Sequence, residues 1–373
     1  MRRGVLPDWK IREFIKEGII CNADVNLVNP SSLDLRIGFD KWKLVGSFLP
    51  LREQNIKKIL SSREIVDDHS SKEQFYVEYL QSYVMQLVES LNLPNTISAK
   101  MFNKSGRGRI GISAKGLTDG CSQFDYIKNG YQGDLYSEIT ATSFPLVIHS
   151  GITPIPQIRF YEGNPEPIAG SDLELLLRKH PILTDDNGNQ SYDEIEKEEM
   201  IRTGKLTFTA DIPKRGLLAY IAKRDRRTID LSKKGNYVPK EYYDEIKNKN
   251  NSGLIIIHPG DFVLVNSKQN IRLPPTVAAE IDEYSPELGD MKSHYAGLIN
   301  ASHGYDPKNP NVPSHIVFEI RARDVPIILQ DNQSLAKFNL YNMLYEPEER
   351  YMDKKSTGFK DLKSILPNVF NKK

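Results

Sequence analysis

Alternation of apolar and polar positions dominates most of the chain. Ser32-Leu33-Asp34-Leu35-Arg36-Ile37-Gly38 follows a period of two, and so does the run from Tyr76 to Leu87 through its Tyr, Val and Met positions. This is the signature of strands with one buried face. Phe144 to Ile148 and Ile155 to Phe160 predict two more short strands, parted by a turn at Ser150-Gly151. Strand patterning resumes at Leu206-Thr207-Phe208, passes through Gly253-Leu254-Ile255-Ile256-Ile257 and Phe262-Val263-Leu264-Val265, and finishes near Tyr341. Helical spacing is sparse. Ile11, Phe14 and Ile15 share one face of a short helix capped by Asp8 and stopped at Gly18. Between residues 163 and 205, a Pro-, Asn-, Asp-, Gly- and Glu-rich stretch, Leu173 to Leu177 is the single strong helical candidate. The charged segment from Pro239 to Asn251 reads as a solvated surface helix and loop. Many short strands broken by Gly and Pro predict an all-β barrel or sandwich.

The same patterned unit occurs twice. Leu93-Pro94-Asn95-Thr96-Ile97-Ser98-Ala99-Lys100 recurs as Leu273-Pro274-Pro275-Thr276-Val277-Ala278-Ala279-Glu280. Glu138-Ile139-Thr140-Ala141 with Pro145-Leu146-Val147-Ile148 recurs as Glu319-Ile320-Arg321-Ala322 with Pro326-Ile327-Ile328-Leu329 in the same register. The expected organisation is a first domain over 1–165, a polar linker over 166–205, a second domain over 206–345 and a mobile polar tail over 346–373. A length of 373 residues suits two domains.

Composition narrows the function. Hydrophobic residues at 39% and charged residues at 27% describe a soluble chain with material for two cores. No stretch matches a membrane span, and no apolar run follows the charged N-terminus, so no secretory signal and a cytoplasmic location are expected. Cys21 and Cys121 alone give neither a disulfide framework nor a CxxC site. The formal net charge of +1 offers no field for a nucleic-acid polymer, which leaves a small anionic partner held by local charge.

Such a locus exists. Lys104-Ser105-Gly106-Arg107-Gly108-Arg109 packs three cations and two glycines into six residues, a composition that can cradle a phosphate chain. The corresponding stretch of the second copy carries Glu283, Glu287 and Asp290 instead, which repels anions. A second constellation is Gly130-Tyr131-Gln132-Gly133-Asp134-Leu135-Tyr136-Ser137-Glu138, a turn feeding a strand. Alternation puts Leu135, Ser137 and Ile139 on one face, and Tyr136 and Glu138 on the other. His294-Tyr295-Ala296-Gly297 reads as a packed turn, and the other histidines show no ligand spacing.

These segments, with Pro30 to Gly38, Phe144-Pro145-Leu146, Gly151 and Gln157-Ile158-Arg159-Phe160, resemble the ordered motifs of the dCTP deaminases, members of the dUTPase superfamily. The resemblance spans roughly residues 5 to 162, and the tandem second copy is similar to the longer two-domain bacterial form. It implies two dUTPase-like β-clip domains, each a distorted jelly-roll barrel with a few short helices. It implies deamination of dCTP to dUTP and ammonia for thymidylate synthesis, without zinc; the H-x-E and P-C-x-x-C of the zinc deaminases are missing from the sequence. Glu138 falls on the family's general base, and Ser105 and Arg109 on positions that orient water and base. Lys104, Gly106, Arg107, Asp125, Tyr131 and Gln157 fall on nucleotide-binding positions. Lys104 stands for an Arg, keeping charge but losing the two-pronged donor, and Gly106 for a Ser. Magnesium is implied as the ion accompanying the triphosphate, dTTP as an inhibitor, and a homotrimer as the assembly. In the second copy Glu319 is retained, but four like charges with Glu283, Glu287 and Asp290 would cost triphosphate binding, so that copy is expected to be structural; Ser356-Thr357-Gly358-Phe359 resembles a closing C-terminal lid. Asp125 admits a rival reading, because related dUTPases place an Asp shortly before Tyr-x-Gly to orient the water that attacks the α-phosphate. A dUTPase, a bifunctional enzyme releasing dUMP, and a non-catalytic nucleotide-binding protein are the alternatives.

Overall fold

The computed structural model describes residues 3–61, 66–69, 72–213, 216–247, 253–282, 291–292, 296–309, 312, 314–351 and 365–371. The acidic stretch holding Glu283, Glu287 and Asp290, the His294-Tyr295 pair and Ser356 to Phe359 lie outside the described residues.

The chain is all-β with short helices, as its alternation predicts. In the first repeat the long strand Ser32–Leu44 pairs with both Ser82–Asn92 and Pro154–Glu162, and Gln132–Ala141 lies between Ser82–Asn92 and Ile112–Leu117. The second repeat reuses this plan: His315–Ala322 pairs with Val263–Ile271, which pairs with Leu217–Ala222. Each repeat has a core, and the first also takes in Tyr242, Tyr243, Phe262, Leu264 and Val317 of the second. Leu33, Leu35, Ile97, Ile139 and Phe160 belong to one, and Phe208, Val265, Ile271, Ile320 and Phe338 to the other. Among the described residues no helix is long and apolar enough to cross a membrane.

Several local expectations change in three dimensions. Asp8 is the first residue of the helix Asp8–Lys16, not its cap, and its carboxylate accepts the backbone amides of Glu348 and Glu349 at 2.9 and 3.2 Å. The run from Tyr76 to Leu87 is two strands, Gln74–Val77 and Ser82–Asn92, broken where Leu80 takes a φ of 57°. The segment after Gly163 holds two helices, Gly170–Lys179 and Glu194–Thr203. Asp193 and Glu196 form a reciprocal capping box on the second, and Leu173, Leu177 and Met200 sink into the second core. Burial of these apolar residues outweighs the polar composition around them. Within Pro239–Asn251 a strand, Tyr243–Lys247, replaces the expected surface helix, because Tyr242 and Tyr243 are buried against the first repeat. The tail is also partly fixed: Val369 and Phe370 join the first core.

The repeats meet along a buried seam centred on Arg159, which is fully buried. Its guanidinium donates to the carbonyls of Ala279 and Ile299 at 3.0 and 2.8 Å and to Glu280 Oε1 at 3.0 Å. It also reaches Ser31 Oγ at 3.2 Å and the Ser31 carbonyl at 3.3 Å, and Tyr161 donates its hydroxyl to Glu280. Ser31 and Ser32 in turn donate to Asn300 Oδ1 at 2.8 and 3.1 Å. Lys100 approaches Glu280 at 3.7 Å, and the Tyr161 and Tyr341 rings stand edge-on 6.3 Å apart. In both of these contacts the partners occupy equivalent positions of the repeat, which places them beside the rotation axis relating the two copies.

Arg159→Met leaves Glu280 buried without its main cation, at an expected cost of about 3–5 kcal/mol. Chemical denaturation followed by tryptophan fluorescence checks this, and a midpoint equal to that of the parent chain would remove the seam's claimed role.

Candidate active site between the two repeats

The strand Ile97–Asn103 delivers the basic loop, which folds as one helical turn, Ser105–Gly108, with Arg109 at its end. Gly111 closes the loop with a φ of 73°; a Cβ there would meet Ser143 Oγ at 2.0 Å, so no other residue lets the chain turn so close to Ser143. The three cations part company. Lys104 donates to Asp34, and Arg107 Nε donates to the Pro154 carbonyl at 3.1 Å. Burial draws the Lys104 ammonium below its usual range against the pull of Asp34, and lowers Arg107 to about 10. Arg109 turns to the opposite side. Its Nη1 donates to the Ile365 carbonyl at 3.3 Å, while Tyr243 donates to the Arg109 carbonyl at 2.7 Å.

Arg109 and Ser105 line a cavity whose other wall comes from the second repeat and the C-terminal segment: Asn300, His303, His315, Glu319 and Tyr351. Glu319 is 1% exposed. Its strand, His315–Ala322, explains how it gets there. Phe318 and Ile320 point into the second core, whereas Val317 packs into the first core and Arg321 donates to the Thr142 carbonyl at 2.6 Å and Ser143 Oγ at 2.7 Å. From Val317 to Arg321 the odd positions therefore face the first repeat, Glu319 among them. Burial lowers Arg109 to about 10 while the Glu319 carboxylate opposes that fall, so the guanidinium stays cationic at neutral pH. Burial and the Arg109 charge hold His303 down at about 4, hence neutral. The Tyr351 ring tilts at 45° over His303 with centroids 4.9 Å apart, and burial pushes its phenol up to about 12.

Glu138 is placed elsewhere. Tyr136 and Glu138 do share a face opposite Leu135 and Ile139, as alternation predicts. That face is covered by its own repeat, with Tyr136 packed against Leu44, Ile56 and Leu60 and with Phe48 alongside. The carboxylate, 3% exposed, accepts Ser47 Oγ at 2.7 Å and pairs with Lys115 Nζ at 3.3 Å. Lys115 is itself held over the Phe124 ring at 4.6 Å. Glu138 is not among the residues lining the cavity of Ser105 and Arg109.

The other expected residues are distributed around the first repeat. Gly106 sits inside the single helical turn. Gln157 donates to the Asn103 carbonyl at 3.2 Å and accepts from Ser32 at 3.5 Å, joining the polar network that ends on Asn300. Asp125 has a φ of 66°, accepts the Gly116 amide at 2.6 Å and lines a neighbouring cleft with Glu280 and Asp282. Tyr131 donates to the Asp134 carbonyl at 2.6 Å and lines a separate depression. Asn300, His303 and Tyr351 were not singled out from sequence; their one signal was the retained Glu319 in a copy otherwise read as structural. Among the described residues no group of three or more His, Cys, Asp or Glu side chains is placed to hold a metal ion.

Comparison with known proteins identifies the family. Residues 2–164 match the family model described as the 2'-deoxycytidine 5'-triphosphate deaminase N-terminal domain, and residues 182–366 match the C-terminal domain of the same family. A crystal structure of 2'-deoxycytidine 5'-triphosphate deaminase from Agrobacterium tumefaciens superposes with a TM-score of 0.82 at 27% identity, covering 92% of this chain and 100% of that one. Curated relatives named "dCTP deaminase, dUMP-forming" are similar to part of the chain. The protein from Sulfurihydrogenibium sp. is 25% identical over 155 residues, 40% of this chain and 78% of the relative. That from Persephonella marina is 28% identical over 157 residues, with the same shares of 40% and 78%.

His303 gives this cavity a stability signature. Its folded pKa of about 4 lies below the ordinary value near 6.5, so the unfolded chain binds the extra proton first. Its contribution is complete above about pH 6.5 and is lost as the pH falls toward 4. Comparing denaturation midpoints across this range, His303→Asn is expected to flatten the acid-side fall; parallel curves would exclude the effect.

Proposed function

The chain belongs to the dCTP deaminase family in its two-domain form, and we propose that it converts dCTP and water to dUTP and ammonia without zinc. The observation that carries this reading is one buried cavity holding a hydroxyl, a guanidinium and a carboxylate, Ser105, Arg109 and Glu319. Arg109 supplies a permanent positive charge for a polyanion or for the charge that develops on an attacked ring. A buried carboxylate can take the proton of water and pass it to the leaving amine. The absence of the H-x-E and P-C-x-x-C motifs supports a base of this kind over a zinc-bound hydroxide. Magnesium enters as part of the substrate, held by phosphate oxygens and water.

A second reading, release of dUMP, is favoured by the names of the curated relatives. Two observations weigh toward dUTP. Those relatives match only about two fifths of this chain, whereas the deaminase from Agrobacterium tumefaciens, whose name does not specify dUMP, matches nearly all of it. Asp125, the residue for a phosphate step, has its carboxylate bonded to the Gly116 amide and lines a different cleft.

Incubation of the protein with dCTP and magnesium, with and without a zinc-selective chelator, separates these outcomes by anion exchange. Equal dUTP and ammonia in both samples is expected. Pyrophosphate with dUMP would instead establish the second reading, and chelator-sensitive turnover would overturn the zinc-free mechanism.

A further inference from the structure

We propose that the catalytic base is Glu319 of the second repeat, acting with Ser105 and Arg109 of the first, and that Glu138 is a structural carboxylate. This assignment rests on the deaminase reading given above. It stands on placement. Glu319 shares a buried cavity with Ser105 and Arg109, and the alternation of its strand, fixed by Val317 and Arg321 against the first repeat, leaves it no other direction. Glu138 occupies the equivalent position of the other repeat, yet Lys115 and Ser47 engage its carboxylate and the packing of Phe48, Ile56 and Leu60 covers its face.

The pattern of loss between the two copies fits the same assignment. A cavity spanning two repeats uses the loop of one and the carboxylate of the other. That leaves over the loop of the second repeat and the carboxylate of the first. The second loop is acidic through Glu283, Glu287 and Asp290, and the first carboxylate is half of an ion pair with Lys115. The second repeat is then not a passive copy.

The chemistry balances with Glu319 as the sole proton carrier. Water attacks C4 of the cytosine ring as its proton passes to Glu319; the C4–O bond forms and the C4–N3 π electrons move to N3, which takes that proton from Glu319. The hydroxyl on C4 then yields its proton through Glu319 to the amino group. The C4–N bond breaks, the carbonyl forms, and ammonia leaves. Ser105 orients the water, and Arg109 steadies the negative charge left on Glu319 between transfers.

Full-length Glu319→Gln and Glu138→Gln proteins decide the matter. Glu319→Gln should lower kcat for dCTP by about a thousandfold while calorimetric dCTP binding changes only a few-fold. Glu138→Gln should keep kcat within about tenfold. Should Glu319→Gln melt early, Glu319→Asp, which keeps the charge, is read in its place and should also depress kcat far more than KM. Ser105→Ala combined with Glu319→Gln should be strongly non-additive, and combined with Glu138→Gln additive. Turnover surviving in a folded Glu319→Gln protein, or vanishing in a folded Glu138→Gln protein, overturns the assignment. Failure of the parent chain to deaminate dCTP would instead sink the deaminase reading itself.

Discussion

The Arg159 guanidinium fixes how the two repeats sit against each other. An arginine sealed from water is tolerated only when its charge is matched and its donors are all used, because the desolvation cost is several kcal/mol per ion. Here the matching groups come from both repeats: Glu280 and the carbonyls of Ala279 and Ile299 on one side, Ser31 on the other. A sliding or rotated seam would strand this charge. The same register carries Asn300 onto Ser31 and Ser32, and brings the strand of Glu319 up to the basic loop. The seating of the two repeats, and with it the cavity between them, therefore depends on one buried ion pair and its hydrogen bonds.

Much of the architecture was legible in the residues. Alternation located the strands, and the duplicated Leu-Pro and Glu-Ile segments fall at equivalent strand positions of the two repeats. Alternation also gave the face of Glu138 correctly. What the sequence did not carry was the partner of that face. Whether a strand residue meets solvent, its own loop or another domain depends on contacts hundreds of residues apart, and period-two patterning is blind to them. The Asp193–Glu196 capping box was a local signal for the second interdomain helix and was masked by polar composition. The strand at Tyr243–Lys247 was hidden for a different reason: its exposed charges outnumber its apolar residues, and Tyr243, Ile246 and the pairing with Leu217–Ala222 tie it down.

Burial sorts the ionisable groups of the basic loop by task. Lys104 and Arg107 answer Asp34, whereas Arg109 answers Glu319. A loop that reads as one phosphate cradle is thus two devices, one bracing the first repeat and one facing the second. His303, kept neutral by burial and by Arg109, adds an imidazole without adding charge beside the guanidinium.

The two ends of the chain are joined. Asp8 accepts the amides of Glu348 and Glu349, Trp9 Nε1 donates to the Glu346 carbonyl at 3.2 Å, and the Trp9 and Tyr345 rings lie 5.5 Å apart. Tyr351 follows immediately and closes one wall of the cavity. During synthesis the first repeat, with its complete loop, emerges long before these residues do. The cavity wall at Tyr351 is thus completed only when residues 345–349 return to the helix Asp8–Lys16, and until that contact forms Arg109 faces an unfinished wall.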